Sequence, residues 1–143
     1  MPAVSRHFDV PPERVWDVLS EPRSYAAWVP GTHAVGEVEG RWPERGATFR
    51  HTQGLPPLAL SDTTTVVAAD PPRRLELDAR VRPFLVARVV VSISPEPGGS
   101  EVTIDEIPTG GLLELPLRLL PAGPFVRLRN LELLRRLRTL SAR

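Results

Sequence analysis

The 143-residue chain has no cysteine. Disulfide frameworks, thiolate nucleophiles and cysteine-ligated zinc are excluded together, and a reducing compartment suits such a composition. It has no lysine either: all 18 basic residues are arginine, so Schiff-base chemistry and a phosphate-loop lysine are ruled out. Net charge is only +1, so no global field gathers nucleic acid, and no nucleic-acid partner is expected. No run reaches the roughly 18 consecutive apolar residues of a membrane span. Met1–Val10 lacks the apolar centre of a secretory signal, and the expected location is the cytoplasm. HExxH, GxSxG, GxGxxG and EF-hand patterns are all missing. His7, His33 and His51 fall on different expected strands without ligand spacing. Neither a metal nor a cofactor is expected.

What is present fits one domain over residues 1–143, long enough to bury roughly 68–70% of its unfolded surface. Residues 3–10 (AVSRHFDV) alternate as a first strand. Asp9, Pro11-Pro12 and Glu13 form a helix-start signal ahead of Val15, Trp16 and Leu19 at helical spacing. Pro22 ends that helix, and a short one over about 23–29 carries Tyr25 and Trp28 on one face. The period then becomes two. Strands are expected over 33–39, 46–53, 60–69, 75–81, 85–93 and 101–107, joined by short turns and therefore antiparallel. Leu75, Leu77, Ala79 and Val81 alternate cleanly with Arg74, Glu76, Asp78 and Arg80. From Pro108 the chain is apolar but broken by Pro108, Pro116, Pro121 and Pro124, leaving room for a short helix near 112–120. Phe125–Ser141 is free of proline and glycine, enough for a helix of about 25 Å.

Strand, two short helices, six strands and a long helix make an α+β chain with its helices on one face of the sheet. A sheet of about seven twisted strands curls around whatever covers it. A helix laid in that curve need not fill it, and the remainder is a cavity.

The stretch DVPPERVWDVLSEPRSYAAWVPG, Asp9–Gly31, resembles the opening of the START-like (SRPBCC) superfamily. That superfamily includes polyketide cyclase/dehydrase-like and lipid-transport proteins. The shared pattern is a proline before a helix containing Val-Trp, here Pro12 and Val15-Trp16, then a short helix ending in an aromatic, here Trp28. The turn Asp70-Pro71-Pro72-Arg73-Arg74-Leu75 and the final helix with Arg129-Asn130-Leu131-Glu132 extend the likeness over nearly the whole chain. It implies a helix-grip fold with an apolar cavity. The leucine- and proline-rich stretch 111–124 departs from the pattern and leaves the form of the mouth open.

Phe49, His51 and Gln53 share one face of their strand, so His51 enters the cavity if Phe49 does. There it is a weak catalytic candidate as general acid or base; otherwise it is bonded to structure or exposed at the strand end. Glu106 shares a face with Val102 and Ile104. It either reaches the pocket, paired with His51 or an arginine, or lies in water beyond the strand end. Val126, Leu133, Leu137 and Leu140 form one stripe of the last helix, and Asn130 falls on it. Its amide either meets a ligand or bonds locally, with the alternative that the helix is rotated and Leu131 faces inward. Trp28 walls the entrance or packs in the core. Arg127, Arg129, Arg135, Arg136 and Arg138 border the stripe as a solvated face, with membrane-surface or nucleic-acid contact as the rarer outcomes.

The expected function is binding of an apolar or amphipathic small molecule, a lipid, isoprenoid or polyketide-like compound. Phe49, Leu75, Leu77, Val89, Val91, Leu133 and Leu137 would form the walls, Trp28 the entrance, and His51, Glu106 and Asn130 would orient the ligand. Gly110-Gly111 and the segment after them would be a lid. A polyketide cyclase/dehydratase-type enzyme using the same cavity is the alternative that the resemblance permits. A protein- or membrane-docking adaptor, working through 111–121 and the basic helix, is the other. The sequence leaves oligomeric state open.

Overall fold

In the computed structural model, residues 3–53, 59–119 and 123–143 are described. The element order is β1 (Val4–Phe8), α1 (Pro12–Leu19), a 3-10 turn (Pro22–Ser24), α2 (Tyr25–Trp28), β2 (Thr32–Glu39), β3 (Thr48–Gln53), β4 (Leu60–Asp70), β5 (Arg74–Val81), β6 (Leu85–Glu96), β7 (Gly99–Gly110), α3 (Glu114–Leu119) and α4 (Gly123–Ser141). The strands form one antiparallel sheet in the order β1-β7-β6-β5-β4-β3-β2. Residues 120–122, in the stretch expected to form a lid, lie outside the described residues.

β6 and β7 run further than the alternation suggested. Their ladder continues through Ser94↔Glu101 and Pro95↔Ser100 to Glu96↔Gly99, and the tight turn is Pro97-Gly98, with Gly98 at φ +81°. β7 also continues past Ile107 to Gly110. α1 opens on Pro11 with no side-chain cap. Asp9 does not cap it; its carboxylate lies 3.0 Å from His7 Nε2 and 3.5 Å from Arg138 on α4.

One face of the sheet turns towards the helices. Period-two alternation turns Leu75 and Leu77 of β5, Val91 and Ile93 of β6, and Val102 and Ile104 of β7 inward, where all are buried. α4 lies over this face, packing on β1, β7, α1 and α2, with Asn130, Leu133, Leu134, Leu137 and Ser141 buried along its inner stripe. The opposite face carries Glu76, Asp78, Arg80 and Arg88, with Arg80 bonded to Asp78 at 2.9 Å; such exposed pairs contribute little.

His7 links β1 to the far end of β6 and to the entry of α1. Its Nδ1 is bonded to Glu96, at the far end of β6, and its Nε2 to Asp9. Glu96 above all, and then Asp9, raise the imidazole pKa. A raised folded-state pKa contributes stability that is fully present below the unfolded value of about 6.5 and is lost as pH rises through the folded value. Wild-type protein should therefore melt above His7→Ala by a wider margin at pH 6 than at pH 9; equal margins in thermal melts would remove this clamp from the stability account.

Candidate functional site

The cavity lies between sheet and helix towards the N-terminal end of α4, with a volume of about 360 Å³. Its lining is mostly apolar, as in small-molecule sites. Depth along each element separates wall from core. On β5, Leu77, Ala79 and Val81 line the space, while Leu75 packs below it. On β6 the walls are Leu85, Ala87 and Val89, with Val91 and Ile93 below; on α4 they are Val126, Arg129 and Leu133, with Leu134 and Leu137 below. The alanines at 79 and 87 contribute little side-chain volume to this lining.

One wall is aromatic. Tyr25 and Trp28 of α2 meet at 4.5 Å between ring centroids, and Tyr25 meets Phe49 of β3 at 5.1 Å. Trp42 backs Phe49 at 4.6 Å without reaching the cavity. The polar ends of these rings are already bonded. Tyr25 Oη donates to the Leu19 carbonyl at 2.8 Å, Trp28 Nε1 to Ser24 Oγ at 3.1 Å and Trp42 Nε1 to the Leu19 carbonyl at 2.9 Å. Burial pushes the Tyr25 phenol pKa up, so it stays protonated.

His51 differs from them. It lines the cavity at 3% exposure, edge-on to Phe49, with centroids 5.9 Å apart. Neither Nδ1 nor Nε2 makes a hydrogen bond of ordinary geometry among the described residues, although the Thr63 backbone lies close enough to favour the protonated ring. Burial lowers its pKa, opposed by the Thr63 backbone and the Asp62 charge, so the ring is neutral at pH 7. It offers one donor and one acceptor. Asp62, its cross-strand neighbour on β4, is engaged elsewhere. It accepts from Arg82 N at 2.8 Å, Nε at 3.0 Å and Nη2 at 2.8 Å, and from Thr63 N at 2.8 Å. The Arg82 guanidinium, first of these, holds the Asp62 carboxyl well below the usual carboxylate range.

Glu106 lies in the cavity wall because β7 continues past it. Its partner is Arg129, whose Nη1 donates to Glu106 Oε2 at 3.0 Å; Nη2 donates to the Pro30 carbonyl at 3.3 Å. One guanidinium thus ties α4 to the sheet and to the turn after α2. Arg129 was expected on a solvated face. Its spacing, three after Val126 and four before Leu133, was the signal that it shares the inner stripe. By contrast, Arg135 and Arg136 do lie outward, bonded to Glu132 at 2.6 and 3.0 Å.

Of the residues named from sequence, Trp28, Phe49, His51, Leu77, Val89, Glu106 and Leu133 meet around this space. Leu75, Val91 and Leu137 face the right way but sit in the solid core, and Asn130 is buried beside the cavity rather than in its wall. The Asn130 Oδ1 lies 3.5 Å from Arg129 Nη1, a local contact. Tyr25, Arg129 and the two alanines were missed.

The rim carries exposed apolar side chains: Phe84 at the β5–β6 tip, Leu113 after β7 and Phe125 of α4, the last at 72%. Leu112, Leu115 of α3 and Leu128 of α4 are exposed as well. Gly111 fixes one side of it. At φ +91°, a Cβ there would stand 2.5 Å from the Phe84 carbonyl oxygen, and Leu112 N and Leu113 N donate to Pro83 and Phe84 carbonyls at 2.9 and 2.7 Å. The segment directly after Gly111 is therefore bonded to the β5–β6 hairpin, a fixed side of the mouth where a lid was expected.

An antiparallel sheet curled over a long C-terminal helix, with an apolar cavity between them, defines the helix-grip class of α+β proteins. Within it, this chain belongs to the family described as polyketide cyclase / dehydrase and lipid transport, which it matches over residues 3–141. Solved structures carry the same fold. Protein NE0264 from Nitrosomonas europaea is similar at a TM-score of 0.75 and 17% identity, covering 97% of this chain and 92% of that one. A protein from Rhodobacter sphaeroides is similar at 0.72 and 23%, covering 98% and 90%. The di-domain ARO/CYC StfQ from the steffimycin biosynthetic pathway is similar at 0.74 and 12%, covering 99% of this chain and 50% of that chain. At these identities the likeness concerns fold alone. No match was found among the curated proteins. No helix among the described residues is long and apolar enough to cross a membrane.

Proposed function

We propose that the protein is a single-domain cytoplasmic carrier or receptor for an apolar or amphipathic small molecule, a lipid, isoprenoid or polyketide-like compound, held between the sheet and α4. The observation that carries this is the cavity of about 360 Å³ with mostly apolar walls. Burial of apolar ligand surface drives binding at about 25 cal/mol per Å² before ordering costs. The exposed rim gives an apolar ligand a path that is never fully wet, and the same surface supports docking to another body during loading.

A cyclase/dehydratase-type enzyme is the second reading, favoured by a neutral, unpartnered imidazole in a largely apolar space. In that reading the walls fold a reactive chain into one conformer and His51 moves a proton. Glu106 is bonded to Arg129 and so is not a free base. Native mass spectrometry of protein purified from its own host tests both. A captured organic compound, displaced by excess 1-naphthol and unchanged in mass on prolonged incubation, is expected of a carrier. A compound that loses water on incubation would convert the reading to the enzyme. Protein arriving empty and binding no apolar probe would end both.

A further inference from the structure

Among the described residues, the charged side chains around the cavity and the polar atoms of Tyr25, Trp28 and Gln53 meet partners within the protein, whereas the His51 ring does not; Thr64 adds a hydroxyl to the same lining. Glu106 and Arg129 neutralise each other at 3.0 Å. Asp62, next to His51 across the β3–β4 ladder, is held by Arg82. Gln53 Nε2 donates to Thr32 Oγ1 at 3.0 Å, and the Tyr25 and Trp28 polar atoms are used within the fold. Among the described residues, the buried lining atoms left without a partner are His51 Nδ1 and Nε2. Both atoms are closed off from solvent as the ring stands, so it must turn to present them to water or to a ligand's polar group, and a wholly apolar ligand leaves them stranded. A carboxylate would have to compete with Glu106 for Arg129, in a wall with no other free cation among the described residues.

We propose that the cavity selects uncharged ligands carrying a hydroxyl or carbonyl group, and that His51 is the residue that reads this group. The inference rests on the cavity being a ligand site and names the ligand's chemistry. A hydroxyl donates to the bare ring nitrogen or accepts from the N–H; a carbonyl accepts from the N–H. The ring stands edge-on to Phe49 at the aromatic wall, so the polar group sits at the end where an aromatic or flat body packs best. Fatty-acid anions and amines are excluded as preferred ligands.

The test is titration calorimetry at pH 7.5 with naphthalene, 1-naphthol and 1-naphthoate, on wild type, His51→Leu and His51→Gln. Wild type should bind 1-naphthol about tenfold more tightly than naphthalene, and 1-naphthoate most weakly. His51→Leu should bind naphthalene and 1-naphthol alike. His51→Gln, which keeps a donor and an acceptor, should restore part of the preference; a residue that merely supports the wall would not be rescued in this ligand-dependent way. Should His51→Leu fail to fold, the wild-type and His51→Gln rankings decide the matter. Equal binding of naphthalene and 1-naphthol by wild type, survival of the preference in His51→Leu, or tightest binding of 1-naphthoate overturns the inference and leaves the cavity reading intact. No binding of any probe overturns both.

Discussion

Val89→Trp should leave the protein folded and weaken 1-naphthol binding at least a hundredfold. Val89 lies on β6 opposite Leu77 and Glu106 and turns its side chain into the cavity. An added indole in a filled core forces neighbours off their rotamers and costs about 1–3 kcal/mol. Here it enters space that already exists, and its atoms gain dispersion contacts that the walls now lack. Tryptophan is also well suited to a strand. Binding bears the whole cost, because the volume it occupies is the volume the probe needs; a hundredfold loss corresponds to about 2.7 kcal/mol. Val90→Trp is the control, since Val90 faces the other side of the sheet opposite Glu76 and Asp105. It should leave probe affinity unchanged. A melting temperature held or raised by Val89→Trp together with lost binding is the expected pair of results. Wild-type affinity in Val89→Trp would place the probe elsewhere and remove the cavity from the account.

Why the sequence could show which face Val89 uses but not that it borders a void is a matter of dimension. Period-two alternation reports which side of a sheet a residue takes, and it placed Leu75, Leu77, Val89 and Val91 on one side. All four are there. It carries no information on distance along the strand from the line where α4 touches the sheet. Leu75 and Val91 are opposite each other in the ladder, as are Leu77 and Val89; two residues of rise move a pair from solid core to cavity wall. The same holds on α4, where Leu133 borders the cavity and Leu137, one turn on, does not.

Charged residues were misjudged for a related reason. Arg129 carries the same formal charge as Arg135, yet one lies in the cavity wall and the other in solvent. Only its spacing relative to Val126 and Leu133 distinguishes it, and a run of arginines hides that spacing. His51 was legible through Phe49, because both follow from one strand's parity. That its ring would lack partners was not legible, since this depends on Asp62 being drawn away by Arg82 from the β5–β6 connection, twenty residues distant in sequence.

The boundary between core and cavity makes two adjacent leucines unequal. Leu134 is fully buried on the packed side of α4, while Leu133, at 3% exposure, looks into the open space. Their accessibilities are nearly the same, so area alone gives them equal weight. Packing does not. Leu134→Ala strips contacts on all sides and leaves a new hole, for which about 3–4 kcal/mol of destabilisation is expected. Leu133→Ala enlarges a hole that is already there, and part of its side chain has no partner atoms to lose; about 1–2 kcal/mol is expected. Urea unfolding of both variants measures the difference, provided the slope against denaturant stays at the wild-type value so that midpoints report stability. Probe binding should move the other way: little change for Leu134→Ala below its transition, and altered affinity with a preference for bulkier apolar probes in Leu133→Ala. Equal destabilisation of the two would mean that the space beside Leu133 is packed like the rest of the core, and the binding site would then have to be sought elsewhere on the molecule.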